Sequence, residues 1–344
     1  MIVAAAGAGA SFASISNQRL TSPKISGRDS PTANGDHGIW AITSYFNPAG
    51  YRSRLRNYRI FRRRLAVPLA TVELSCSPDF ELGEGDADVL VQIRGRHVLW
   101  QKERLLNVAL RALPADCQEV AWIDCDVVLG RPDWPRVATR LLRDVPLVQL
   151  FHERYNLPPE TLPEQASSLA DYAVGNSLAY KLSHGLVSTD VVREGAIVRR
   201  WGSSLGLAWA AQRRLLEIHG LYDAGILGGG DRAMACATFA QFDGLRNTWH
   251  ANQRQSEHFS AWARPFHEEV QGNVGCVEGA VFHLWHGHRR DRMYHERYEG
   301  LRQFAFDPFR DIAIDSSGCW RWNTRKMEMH RYVRDYFWAR TEDG

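Results

Sequence analysis

Apolar and polar positions along the chain follow two periods. "IWAITSYF" at 39–46 is a near-continuous apolar run of strand length. "YRSRLRNYRIFRRRL" follows, with Tyr51, Leu55, Tyr58, Phe61 and Leu65 at three- to four-residue spacing, which predicts a helix. "PLATVEL" (68–74) and "VLVQIRG" (89–95) read as strands, and "QKERLLNVALRAL" (101–113) as a helix. "EVAWIDCDVVL" (119–129) is the most apolar strand, and "PRVATRLLRD" (135–144) is helical again.

Alternating strands and helices predict an α/β fold: an open mixed, largely parallel sheet flanked by helices. Ligands in such sheets bind beyond the carboxyl ends of the strands. Residues 1–36 are rich in Ala, Gly, Ser, Pro and Asn without a period and read as a disordered tail. Order begins near residue 37 and the main domain runs to 299. Residues 300–344, with their scattered aromatics, read as an extension packing on the core.

Composition changes this picture modestly. The net charge of +3 is too small to imply a nucleic-acid partner. Twelve Trp and 42 Lys and Arg suit sugar and phosphate ligands. None of the six cysteines forms a CxxC pair, which predicts reduced thiols and a cytoplasmic setting. No apolar stretch approaches the ~20 residues of a membrane span, and the N-terminus has no basic leader, so neither an anchor nor a signal peptide is expected.

The chemistry concentrates in three places. Asp124 and Asp126 interrupt the most apolar strand, where unpaired carboxylates are costly to bury. On a strand, residues i and i+2 share a face, so the two could hold one hard cation, Mn2+ or Mg2+. Backbone or Arg partners would satisfy them equally. "HLWHGHRRDR" (283–292) is dense in imidazole, which suits Mn2+ or Zn2+. If 279–286 is a strand, His283 and His286 face opposite sides. His286, just before Gly287, is then the preferred ligand, and Arg289, Arg290 and Arg292 could hold phosphates. In "GLYDAGILGGGDRAMA" (220–235), three glycines precede Asp231 at a helix start, where it reads either as an N-cap or as an aimed base. Lys102 or Arg104 could reach a phosphate. The seven arginines of 51–64 read as a solvated face rather than a nucleic-acid or lipid surface.

The order "WQKERLLNVAL", "WIDCDVVL", "GLAWAAQRRLLEIHGLYDAGILGGGD", "HLWHG" resembles the GT-A fold glycosyltransferases, in particular the inverting galactosyltransferase and chondroitin-polymerase type, over residues 39–290. The resemblance implies a Rossmann-like nucleotide-sugar-binding half within residues 37–299. It also implies a nucleotide-diphosphate sugar as donor, a carbohydrate or other hydroxyl as acceptor, and Mn2+ or Mg2+. Lys102 matches the basic nucleotide contact, and Asp124 and Asp126 the metal- and nucleotide-binding pair. Gly206 matches the small donor-pocket position, Asp231 the catalytic base and His286 the metal histidine, with His288 a near alternative. Tyr45 and Asn47 would border the nucleotide base. The chain departs from the pattern at Gly230, where an acidic residue is usual, and at Leu227, where an aromatic is usual.

Two other readings remain open. "DCDVVL" also resembles the opening motif of haloacid-dehalogenase-like phosphatases, whose first Asp is a nucleophile. A sugar-binding relative without catalysis is the other.

Overall fold

A computed structural model of the chain describes residues 38–165, 172–194, 200 and 202–344. The expected tail, 1–36, lies outside them. Strand β1 (Ile39–Phe46) is followed by helix α1 (Arg52–Arg64), β2 (Leu69–Ser75), β3 (Val89–Arg94), α2 (Lys102–Arg111) and β4 (Glu119–Ile123). β1 pairs in parallel with β2 on one side and with β4 on the other, and β3 continues the sheet beyond β2. The chain thus winds outward from β1 and returns to its other edge. That reversal of strand order leaves a crevice at the carboxyl ends of β1 and β4.

The run at 119–129 is not one strand. β4 stops at Ile123, residues 124–126 turn, and β5 (Val127–Leu129) enters a different sheet. The same-face rule for a strand therefore does not govern Asp124 and Asp126. After helix α3 (Trp134–Leu141) come β6 (Leu147–Gln149), β7 (Glu153–Asn156), β8 (Ala173–Ser177), β9 (Ser203–Ser204), β10 (Ala208–Gln212), β11 (Val274–Cys276) and β12 (Ala280–His283). The main sheet has the order β11-β6-β10-β4-β1-β2-β3. β10 runs antiparallel between β4 and β6, and the other neighbours are parallel. A smaller sheet, β5-β12-β7-β8-β9, lies beyond the turn at 124–126.

Both faces of the main sheet are buried, which is why its strands read as apolar runs. Val120 and Trp122 of β4 enter the core on the α2 side with Leu105, Leu106 and Ala109. Ala121 and Ile123 enter the opposite core with Tyr58 and Phe61 of α1 and Trp134 of α3. Arg56, Arg59, Arg62 and Arg64 of α1 pair with Glu160, Asp86, Asp88 and Glu164, so this arginine-rich helix is a paired surface rather than a free basic stripe.

The last 45 residues pack on the cleft end of the sheet. A two-stranded ribbon, β13 (Ile312–Ile314) with β14 (Trp320–Trp322), precedes a helix over Met327–Ala339. The Trp320 amide donates to Gln101 Oε1 at 2.6 Å, and Phe337 stacks on Trp100 at 6.1 Å. Beyond that helix Glu342, 1% exposed, receives Arg54 at 2.6 Å, Arg292 at 2.9 Å and Arg340 at 2.7 Å. One buried carboxylate is shared by three guanidinium groups from three parts of the chain. Its removal strands them, and breaking a buried pair costs about 3–5 kcal/mol. Glu342→Ala is expected to lower the unfolding free energy by about that amount in urea titrations, whereas exposed Glu84→Ala should change it by less than about 0.5 kcal/mol.

Candidate active site

The crevice at the ends of β1 and β4 is a cleft of about 920 Å³. Thr43 and Phe46 line it from β1, Ile123 from β4, and Leu205 to Leu207 from the approach to β10. Because β10 is antiparallel to β4, it starts where β4 ends, so Gly206 arrives beside Asp124. The Asp124 amide donates to the Leu207 carbonyl at 2.8 Å, and Thr43 Oγ1 donates to the Ile123 carbonyl at 2.7 Å. These bonds fix the strand end from which the two aspartates project.

Lys102 is the first residue of α2, a position where the helix dipole disfavours a cation. Two carboxylates offset this. Its Nζ lies 2.6 Å from Asp124 Oδ1 and 3.3 Å from Asp231 Oδ1. Burial pulls the ammonium pKa down, but Asp124 and Asp231 together push it well above its ordinary value. Burial lifts Asp124 to about 7 against the pull of Lys102, with Asp231 and Asp126 adding repulsion.

Asp231 is not an N-cap. The helix Gly230–Thr238 begins behind Gly229, which takes φ of 90°, and Asp231 lies inside the first turn with its carboxylate directed to Lys102. Gly206 is small for a steric reason: a Cβ there would fall 2.2 Å from Asp231 Oδ2. Gly230 has a similar one, since a Cβ would fall 2.3 Å from Cδ of Glu103. The Glu103 carboxyl thus occupies the space that a side chain at 230 would need. It accepts from Trp100 Nε1 at 3.2 Å, is 6% exposed, and is raised by burial to about 7.

Asp126 turns the other way. Its Oδ1 lies 3.7 Å from His283 Nε2 and its Oδ2 lies 3.7 Å from His286 Nε2, and the two Nε2 atoms are 2.9 Å apart. Sequence parity had placed these imidazoles on opposite sides. β12 ends at His283, and the chain leaves strand geometry before Gly287 rather than at it, so both rings face Asp126. Asp124 does not join this trio, because the turn sends it to Lys102. Burial opposes ionisation of Asp126, yet His283, Arg292 and Arg54 hold its pKa below the ordinary value.

A divalent cation fits these residues. Asp126 Oδ1 is buried without a hydrogen-bond partner, and one carboxylate with two imidazoles suits Mn2+ or Zn2+. Burial lowers the pKa of His283, favouring the neutral ring a metal needs. His283 Nδ1 lies 3.3 Å from Asn156 Oδ1, a contact that can hold the proton there and leave Nε2 free. His286, preferred from sequence, meets the Arg292 guanidinium through Nδ1. His288 is exposed at the cleft mouth and outside the trio.

Other expected residues lie elsewhere. Tyr45 is 2% exposed, and its hydroxyl donates to Glu81 Oε2 at 2.6 Å, which burial and that contact make hard to ionise. Asn47 Nδ2 also donates to Glu81, at 2.9 Å. Both anchor the loop before β3, and neither lines the cleft. Arg104 pairs with Asp223 at 3.0 Å on the far side of α2, which removes both from the site. Sequence reading did not single out Glu103, and it preferred His286 to His283. Adjacency to Lys102 marked Glu103, and a polar residue at the last strand position marked His283.

No family model matches the chain, and no curated protein matches it. Solved structures similar to it include S. aureus TarS 1–349 in complex with UDP-GlcNAc, 11% identical over 77% of this chain and 64% of that one, with a TM-score of 0.40. Glucosyl-3-phosphoglycerate synthase from Mycobacterium tuberculosis, with Mn2+, uridine-diphosphate and phosphoglyceric acid, is 14% identical over 71% of this chain and 70% of that one, TM-score 0.35. Mannosyltransferase PcManGT from Pyrobaculum calidifontis, with GDP-Man and Mn2+, is 15% identical over 77% and 60%, TM-score 0.36. The chain spans less than two thirds of the first and third of these. At such identities and scores the likeness gives no residue of this chain a role.

Glu103 supplies a test of the site's electrostatics. Its folded pKa, about 7, lies above its ordinary 4.5, so between those values the folded state binds more protons than the unfolded one. Its contribution to stability therefore declines as pH rises from about 4.5 to 7. Glu103→Gln removes that decline. The variant's stability relative to wild type is expected to rise by on the order of 3 kcal/mol between pH 4.5 and 8 in urea unfolding.

Proposed function

We propose that this chain is a metal-dependent glycosyltransferase that moves a sugar from a nucleotide-diphosphate sugar to an acceptor hydroxyl with inversion. The observation that carries this reading is the meeting of four distant segments at one strand end. Lys102 joins Asp124 to Asp231, and Asp126 faces two imidazoles beside them. In the proposed reaction Asp231 accepts the proton of the acceptor hydroxyl while its oxygen bonds to the anomeric carbon. The carbon–oxygen bond to the diphosphate breaks, and the nucleoside diphosphate leaves with the electron pair. Lys102 holds the Asp231 carboxylate in place and presents positive charge to the departing group. Asp126, His283 and His286 would hold the cation, which supplies Lewis-acid stabilisation of the diphosphate charge.

The six cysteines are unpaired, and no helix among the described residues is long and apolar enough to cross a membrane. We place the enzyme in the cytoplasm on the cysteines, because free thiols suit a reducing compartment.

Two measurements check the reading. UDP and GDP are the probes for calorimetry. At least one is expected to bind more tightly with Mn2+ than with chelator, and Asp126→Ala should abolish the gain. Equal affinity in both conditions would rule out a cation bridge. Asp231→Asn preserves volume and removes the basic lone pair. It should lower turnover of a nucleotide-sugar by about a hundredfold or more while nucleotide affinity stays near wild type. Normal turnover by a stable Asn variant would move the base elsewhere.

A further inference from the structure

Nine Lys and Arg side chains line the cleft against four Asp and Glu. Some of that excess is answered inside the protein. Lys102 has Asp124 and Asp231, and Arg54, Arg292 and Arg340 share Glu342. Arg154 is different. It projects from β7 on the same side as Asn156, with Nε donating to Asn156 Oδ1 at 3.0 Å and Nη2 lying 3.2 Å from His283 Nδ1. No carboxylate among the described residues pairs with it. Arg289 lies near enough for the two positive charges to repel, and it too lacks a carboxylate partner among the described residues. Its guanidinium stands 5.9 Å from the Tyr294 ring centre at the cleft mouth.

The hydrogen bonds sharpen the point. His283 Nδ1 can donate to Asn156 Oδ1 or accept from Arg154 Nη2, but one nitrogen cannot do both. When Nε2 of His283 is the free lone pair, Nδ1 carries the hydrogen. Arg154 Nη2 then has no acceptor among the described residues. Two guanidinium groups on one cleft, neither with a carboxylate partner among the described residues, suit a planar or tetrahedral oxyanion.

We propose that Arg154 and Arg289 form a seat for a phosphate- or carboxylate-type oxyanion carried by a substrate, on the opposite side of His283 from Asp126. Identification of that substrate as donor or acceptor rests on the transferase reading, but the seat itself does not. The anion belongs either to the donor diphosphate or to an acidic group on the acceptor.

The test uses the full chain and its Arg154→Gln, Arg154→Lys and Arg289→Gln variants, with melting temperatures as the folding control. Calorimetry measures inorganic phosphate alone, phosphate with saturating UDP and Mn2+, and UDP with Mn2+. For an acceptor seat, phosphate still binds the UDP-loaded wild type, its affinity falls about tenfold or more in both Gln variants, and UDP affinity is unchanged. For a donor seat, UDP affinity falls by that factor and bound UDP excludes phosphate. In either case Arg154→Lys should recover part of the loss. If neither UDP nor GDP binds, the transferase reading fails, and phosphate binding alone still decides the seat. Gln variants that are folded and bind phosphate and UDP as wild type does would overturn the proposal.

Discussion

The ammonium of Lys102 is the charge around which the site is arranged. It stands at the start of a helix, where a cation is disfavoured, and is buried between two carboxylates. Without it, Asp124 and Asp231 would face each other as unpaired negative charges in a low-dielectric crevice, an arrangement that costs several kcal/mol. With it, the end of β4 and the start of the helix Gly230–Thr238 are tied through a third element, α2. The glycines follow from this geometry. Gly206 leaves room for the Asp231 carboxylate, and Gly229 takes the left-handed turn that begins its helix.

The carboxylates divide their labour because the chain turns between them. One unbroken strand would have aimed Asp124 and Asp126 at the same partner. The change of sheet at residues 124–126 sends the first to an ammonium and the second to a pair of imidazoles. Their environments then diverge, with Asp124 raised by burial and Asp126 held low, though burial opposes it, by His283 and nearby arginines. Charges that would repel at one place are useful at two.

Much of the architecture was legible because long apolar runs admit few alternatives. β1, β2, β3, α1, α2 and α3 lie within a few residues of where periodicity puts them. The split of 119–129 was not legible. Apolar residues resume at Val127, and a three-residue turn carries no Gly or Pro to mark it. Strands as short as β6 and β9 leave no periodic trace, and nothing local announces that β10 is antiparallel. Lys102, Asp124, Asp126, Gly206 and Asp231, singled out by residue type and order, all line one cleft. His283 was set aside by a parity rule that fails where a strand ends. Tyr45 and Asn47 were placed by motif position, but Tyr45 packs into the core and Asn47 bonds to a loop carboxylate, a difference only tertiary contacts reveal.

The fit of Glu103 into the space above Gly230 makes two positions 127 residues apart a single unit of variation. A relative of this chain carrying an acidic side chain at 230 has no room for a glutamate at 103. It would need a smaller residue there, so the negative charge would be handed from one helix to the other rather than duplicated. Exchange of either residue alone meets a steric barrier in one direction and leaves a void in the other. The pair is therefore expected to drift in step among homologous chains, with the carboxylate's address changing while the cleft keeps its charge.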